Sequence, residues 1–290
     1  MPDANPENFS WAPPFMRAGY AGRGITYLAL AGFSLSAIWA GGEAQGMGET
    51  LAQLESSTWG TVALVLVTIG LLSYFVWRIV CAIWDLEDYG TDAKGMIARA
   101  GQLTTGIIHG ALGGAAAAVL FTGGSSGSGS GGGGEGGGGG GSSIAQGVGA
   151  LMSAPAGIWL VGFAGVVTIG AGIYYVHKAW SGAYRKLLRG NEFTRNWDWV
   201  LKAGLIAQGV VVGIIGGFLL YAALTANPNE AGGTGEALSW VSDQAYGQIL
   251  VTALCIGLLA FAVFCFVNAR YRFVPKAKDD SIQTLESALA

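Results

Sequence analysis

Six stretches of the chain are apolar on every side, at approximately 20–40, 60–83, 102–122, 157–178, 203–224 and 247–269, each bounded by Gly, Pro or charged residues. A bilayer crossing needs roughly 20 mostly apolar residues, whereas helices of a soluble core keep a polar face turned to water. The pattern predicts an all-α integral membrane protein with six transmembrane helices.

The same pattern repeats along the chain. Odd-numbered helices open with "RAGYAGRGITY" (17–27), "RAGQLTTGIIH" (99–109) and "KAGLIAQGVVV" (202–212), each a base followed by Ala-Gly and by a second Gly seven residues after the base. Even-numbered helices carry "GLLSYFVWRIVCAIW" (70–84), "GAGIYYVHKAWSGAY" (170–184) and "GLLAFAVFCFVNARY" (257–271), with aromatics four and fourteen residues after the first Gly. Between them, Leu51/Leu54, Val148/Leu151 and Leu238/Val241 precede Gly60, Gly157 and Gly247 by nine and six residues. Apolar pairs at that spacing predict a short amphipathic helix at the interface in each loop. The expected organisation is three tandem helical hairpin repeats: 17–85, 97–188 and 199–272, with a cytoplasmic N-terminal segment 1–16 and a cytoplasmic tail 273–290. From the opening base to the even-helix Gly is 53 residues in the first copy (17 to 70), 55 in the third (202 to 257) and 71 in the second (99 to 170). The surplus matches the run "SSGSGSGGGGEGGGGGGSS" (125–143). That run therefore reads as an insertion within a loop, and Gly-rich chain is flexible and inexpensive to lengthen. A disordered insertion over 123–143 is expected.

Composition agrees with a lipid-facing protein: 52% of residues are hydrophobic and 11% charged, against about 25% charged in a soluble domain. The positions of the charges add an orientation. All fifteen Lys and Arg lie at or near the start of helix 1, between helices 2 and 3, between helices 4 and 5, or after helix 6. The other three connections carry only acids: Glu43, Glu49, Glu55, Glu135, Glu230, Glu236 and Asp243. The positive-inside rule then places both termini in the cytoplasm. The first sixteen residues hold Asp3, Glu7 and no base, so an uncleaved start is expected. Cys81, Cys255 and Cys265 fall within apolar runs and read as small core residues rather than a disulfide framework. A net charge of -3 gives no general attraction to nucleic acid.

"RAGYAGRGITYL", "GLLSYFVWRIVCAIWD" and "GIYYVHKAWSGAYRKLL" resemble the bacterial membrane proteins catalogued as domain of unknown function 1206, described as three tandem copies of a two-helix transmembrane unit. The resemblance covers about 15–275 and implies a multi-pass protein of the bacterial inner (plasma) membrane. It implies no substrate, activity, catalytic residue or cofactor. Val212 and Cys265 depart from the basic, Tyr or His residues at matching positions of the other copies.

Candidate chemistry is sparse. Gly106, Gly110, Gly209 and Gly213 stand at small-xxx-small spacing, which lets helix backbones approach closely in lipid. His109 lies ten residues past Arg99, about 15 Å into its helix. Its copy-one counterpart is Tyr27, so a polar residue hydrogen-bonded between helices is expected there, with a proton relay as the sharper alternative. Arg23 either snorkels to the headgroups or pairs with Asp85 or Asp88. Arg78, beside Trp77 and near Trp84, reads as an interfacial anchor. His177 reads as solvated. The basic loop 178–202 is expected to meet anionic lipid headgroups, and the C-terminal "DDSIQTLESALA" to fray. No nucleophile–base pair, phosphate loop or metal-ligand cluster has readable spacing. The chain is therefore expected not to be an enzyme, and to use no metal and no cofactor. A structural, assembly or membrane-organising role is expected, with a channel or transporter for a small solute or ion as the alternative. The bilayer is the expected partner. Protein partners and homo-oligomers are left open.

Overall fold

The computed structural model describes residues 11–122, 141–275 and 284–289. The long helices are α1 (Ala12–Trp39), α3 (Thr58–Trp84), α4 (Ala93–Thr122), α6 (Gly157–Trp180), α8 (Asp198–Thr225) and α10 (Gly247–Tyr271). Short helices α2 (Met47–Glu55), α5 (Gly141–Met152) and α9 (Thr234–Ser242) lie in the loops where amphipathic segments were expected. α7 (Glu192–Asn196) and α11 (Leu285–Leu289) lie among the basic loops. Among the described residues no β-strand forms, only the isolated bridges Leu188–Arg272 and Arg189–Thr284.

Among the described residues five helices are long and apolar enough to cross a membrane: α3, α4, α6, α8 and α10. The sixth expected span, α1, has 28 residues, about 42 Å, but is less apolar. Arg17, Arg23, Thr26 and Ser34 dilute its hydropathy, and all but Arg17 are buried by neighbouring helices rather than turned toward lipid. Helices also extend past the apolar runs at the end of the bundle carrying the basic loops, here called the basic end. α4 starts near Asp92, whose carboxylate accepts the Gly95 N–H at 2.9 Å and so caps the first turn. α1 opens with a Pro pair, which its first turn tolerates because those N–H groups have no intrahelical partner.

The packing partners are α3 with α4, α1 with α3, α1 with α10, α10 with α8, and α8 with α6. The six long helices thus run α4–α3–α1–α10–α8–α6 in space. α4 and α6 are not packed face to face; α4 leans on α3 and α6 on α8. Glycine makes several of these contacts possible. A Cβ at Gly22 would sit 2.6 Å from Gly70 Cα across α1–α3. One at Gly204 would sit 2.5 Å from Phe261 N across α8–α10, and one at Gly172 would sit 2.7 Å from Gly209 O and Gly213 N across α6–α8.

The loop helices begin alike. In α2 and α9 a Glu three residues in reaches back to the entering backbone, Gly46 N–H to Glu49 Oε2 at 3.0 Å and Gly233 N–H to Glu236 Oε2 at 2.7 Å. The expected disordered tract lies outside the described residues over 123–140, while its last three residues, 141–143, form the first turn of α5. Of the tail expected to fray, residues 279–283 and 290 lie outside the described residues, and 284–289 dock: Leu285 is fully buried and its N–H donates to Leu188 O at 2.8 Å. The three cysteines are buried and unbridged.

Candidate functional site

The α3–α4 turn aims a carboxylate inward. Asp85 ends α3 in the left-handed region at φ 51° and accepts the N–H groups of Tyr89 and Gly90, each at 2.9 Å. Leu86 anchors the turn in the core, and Glu87 enters the bundle at 7% exposure. Arg272, the residue after α10, donates from Nη2 to Glu87 Oε1 at 2.6 Å and from Nη1 to Asn268 Oδ1 at 3.0 Å. Arg78 Nη1 stands 3.6 Å from the same carboxylate oxygen, and Gln102 Nε2 donates to Oε2 at 2.8 Å. The Tyr20 ring of α1 lies 5.4 Å from the Arg272 guanidinium. One carboxylate therefore ties together α3, α4 and the end of α10, and α1 joins through the Arg272 guanidinium. Burial pushes the Glu87 carboxyl up, but Arg272 and then Arg78 outweigh it and hold the group down at about 2. Burial likewise disfavours the charged form of Arg272, yet Glu87 keeps it raised above the usual guanidinium range.

Polar contacts continue toward the bundle centre. The Tyr74 hydroxyl accepts from Arg78 Nε at 2.8 Å and from Arg23 Nη1 at 2.9 Å. The His109 ring tilts against Tyr74 at 4.9 Å, and its Nδ1 lies 2.8 Å from Thr105 O. A carbonyl only accepts, so Nδ1 carries the proton and Nε2 is the acceptor of the neutral ring. Deeper still, Gln208 Nε2 donates to the Tyr27 hydroxyl at 2.8 Å, and the Tyr27 ring meets Phe261 edge-on at 4.8 Å. Arg23, Thr26, Tyr27, Met47, Leu71, Ile108, His109 and Leu112 line a cavity of about 10 Å³, room for a single water molecule.

Several expectations change here. Arg23 neither snorkels nor pairs with Asp85 or Asp88: it is 3% exposed and turned to Tyr74, because small residues of α1 draw α3 close enough to cover it. Arg78 belongs to the Glu87 cluster rather than to an interfacial aromatic belt, and neighbouring Trp77 is buried. His109 is buried, but its hydrogen bond returns to its own helix instead of crossing to another. His177 is exposed. Gly106 and Gly110 admit Arg78 Cβ and the Phe75 ring, each 2.8 Å from where a Cβ would stand. Gly209 and Gly213 present bare backbone to Gly172, although a side chain on Gly213 itself would meet open space. In the basic loop, Asp198 takes Arg185 in a close ion pair, which raises the guanidinium's proton affinity, and Lys202 lies 4.9 Å from the Trp180 ring. Among the described residues no group of three His, Cys, Asp or Glu is placed to hold a metal.

Sequence reasoning missed Glu87, Arg272, Gln102, Tyr74, Gln208 and Asn268. Glu87 reads as one acid among several in a polar turn, and Arg272 as one of the cations that set orientation. The available signal was the Asn268–Arg272 spacing of four at the end of an apolar helix, which puts both side chains on one face.

Residues 18–85 and 203–272 match the family described as Domain of Unknown Function (DUF1206), so the resemblance read from the sequence holds over both segments. The chain is also similar to an uncharacterized protein of Bacillus subtilis (strain 168), YxxB, with 25% identity over 270 residues covering 92% of this chain and 93% of the relative. No solved structure matches.

Proposed function

We propose that this chain is a multi-pass protein of the bacterial inner membrane with a structural, assembly or membrane-organising role rather than a catalytic one. The carrying observation is the tight packing around the central polar groups: the cavity beside His109 has a volume of about 10 Å³, and Arg23, His109 and Tyr27 bond to neighbouring side chains or to backbone. In this reading α1 is a sixth span, contributing its buried polar face to the bundle axis. Three tandem hairpins then share one orientation, with both termini and all basic loops in the cytoplasm, where anionic headgroups attract them.

The long–short–long helix order supports the repeat, as do three anchor glycines. A Cβ on Gly60, Gly157 or Gly247 would fall 2.0, 1.8 or 1.8 Å from the carbonyl oxygen of Leu54, Leu151 or Ser242 respectively. A relative in a bacterium of matching length supports the location. Passage of a small solute or ion is the alternative, favoured by the succession of polar side chains from Glu87 through Arg78, Tyr74 and Arg23 to Tyr27 and Gln208. Flux into proteoliposomes separates the two. A tight protein is expected to leak no faster than empty vesicles, and solute flux that His109→Ala abolishes would overturn the structural role. Reporters fused after Ala290 and within 123–140 are expected in the cytoplasm and outside, respectively.

A further inference from the structure

We propose that the seam between α6 and α8 binds one anionic phospholipid, with an acyl chain in the groove between the two helices and the phosphate at the basic end. The groove has a volume of about 590 Å³ and is open along one side. Ile169, Ile173, Val176 and Trp180 stand at i, i+4, i+7 and i+11 of α6, so they form one wall. Val210 and Ile214 of α8 form the other. Glycine leaves the floor bare. A Cβ on Gly172 would fall 2.7 Å from Gly209 O, so the backbones touch there, whereas one on Gly213 would have nothing within 4 Å. Close contact at Gly172 thus draws the helices together and leaves a trough beside it.

Length and charge name the occupant. Ile169 and Trp180 are eleven residues apart, about 16 Å along the helix. One leaflet's share of a hydrocarbon core about 30 Å thick is about 15 Å, so the groove has the depth that a single acyl chain spans. At the basic end the chemistry changes. His177 and Trp180 line the groove there, and Lys202 Nζ stands 4.9 Å from the Trp180 ring. Lys202 enters no ion pair among the described residues, and the acid at the start of α8, Asp198, is taken by Arg185. An ammonium beside an indole at headgroup depth attracts a lipid phosphate, and the ring N–H groups of His177 and Trp180 are donors for its oxygens. The lipid would brace α6, whose main long-helix partner is α8. This deepens the membrane-organising reading by naming a lipid, and it rests on α6 and α8 crossing the bilayer.

The test uses the full chain in a non-ionic detergent, titrated with phosphatidylglycerol or phosphatidylcholine of identical acyl chains. Bound lipid is read by native mass spectrometry and by Tm. A saturable adduct of one lipid and a raised Tm are expected with phosphatidylglycerol, and glycerol phosphate, which lacks an acyl chain, should displace none of it. Gly213→Leu fills the groove and should lose the adduct, whereas Gly217→Leu, also in open space but outside the groove, should keep it. Ile173→Trp fills the groove from the opposite wall and serves if Gly213→Leu does not fold. Lys202→Gln should cut the preference for phosphatidylglycerol about fivefold, the effect of one base near an anionic surface. An adduct retained in both filled variants, equal retention of the two lipids by the unaltered chain, or displacement by glycerol phosphate would overturn the proposal. A chain that needs detergent to stay dispersed yet keeps no lipid would refute the groove alone and leave the membrane reading standing.

Discussion

Replacing Glu87 by Gln keeps the shape of the inward-facing side chain and removes its charge. Arg272 and Arg78 would then be left without a carboxylate at a site where Glu87 and Arg272 are 7% and 4% exposed. Removing one partner of a buried ion pair costs about 3–5 kcal/mol. The titration of the group reports the same contacts. A carboxyl held at about 2 in the folded chain, against 4.5 unperturbed, contributes roughly 3 kcal/mol to stability at neutral pH. Because the folded-state value is depressed, that contribution is complete above 4.5 and fades as pH falls toward 2. Equilibrium unfolding in mixed micelles, followed by tryptophan fluorescence, should therefore show Glu87→Gln less stable than the unaltered chain by about 3 kcal/mol at pH 7. The gap should narrow progressively below pH 4.5. A variant within about 0.5 kcal/mol of the unaltered chain at pH 7, or a gap independent of pH between 7 and about 3, would refute the assignment of Glu87 as the keystone of the basic end.

Three further outcomes follow from the packing. Tyr74→Phe removes the oxygen that serves both Arg23 and Arg78 and should cost about 2–3 kcal/mol in the same assay. Gly172→Ala forces a methyl against Gly209 O and Gly213 N and should destabilise by about 1–3 kcal/mol, whereas Gly217→Ala, with nothing within 4 Å, should lie within about 0.5 kcal/mol of the parent. Leu285→Asp should release the docked C-terminal turn, exposing it to protease under conditions where the unaltered chain is protected, while leaving detergent-extracted yield unchanged.

The helices were legible because lipid imposes a coarse rule that composition reveals directly. α6 and α10 begin at Gly157 and Gly247 as expected, each after a left-handed residue, Ala156 and Tyr246. At the basic end the rule weakens, since α4 and α8 continue for several residues into amphipathic turns that look like loop by hydropathy alone. Arg23, Arg78, Tyr27 and His109 were visible as polar groups in apolar surroundings. Their partners were not, because contacts such as Arg272 to Glu87 and Gln208 to Tyr27 join residues 185 and 181 positions apart. No periodicity encodes which of several acids in a turn will face inward. That choice was made by the backbone of Asp85, which adopts a conformation costly for a residue with a side chain and recovers stability from two N–H groups.

The separation of α4 from α6 has a topological corollary. The first four helices and the last seven each contain their own sequential contacts, and the long-helix junction between them is α1 against α10. Severing the chain anywhere in 123–140 would therefore break no pair of apposed long helices. Two polypeptides produced from separate messages should find each other in the bilayer and rebuild the whole, and a glycine tether of nearly arbitrary length could accumulate at that point without disturbing either half.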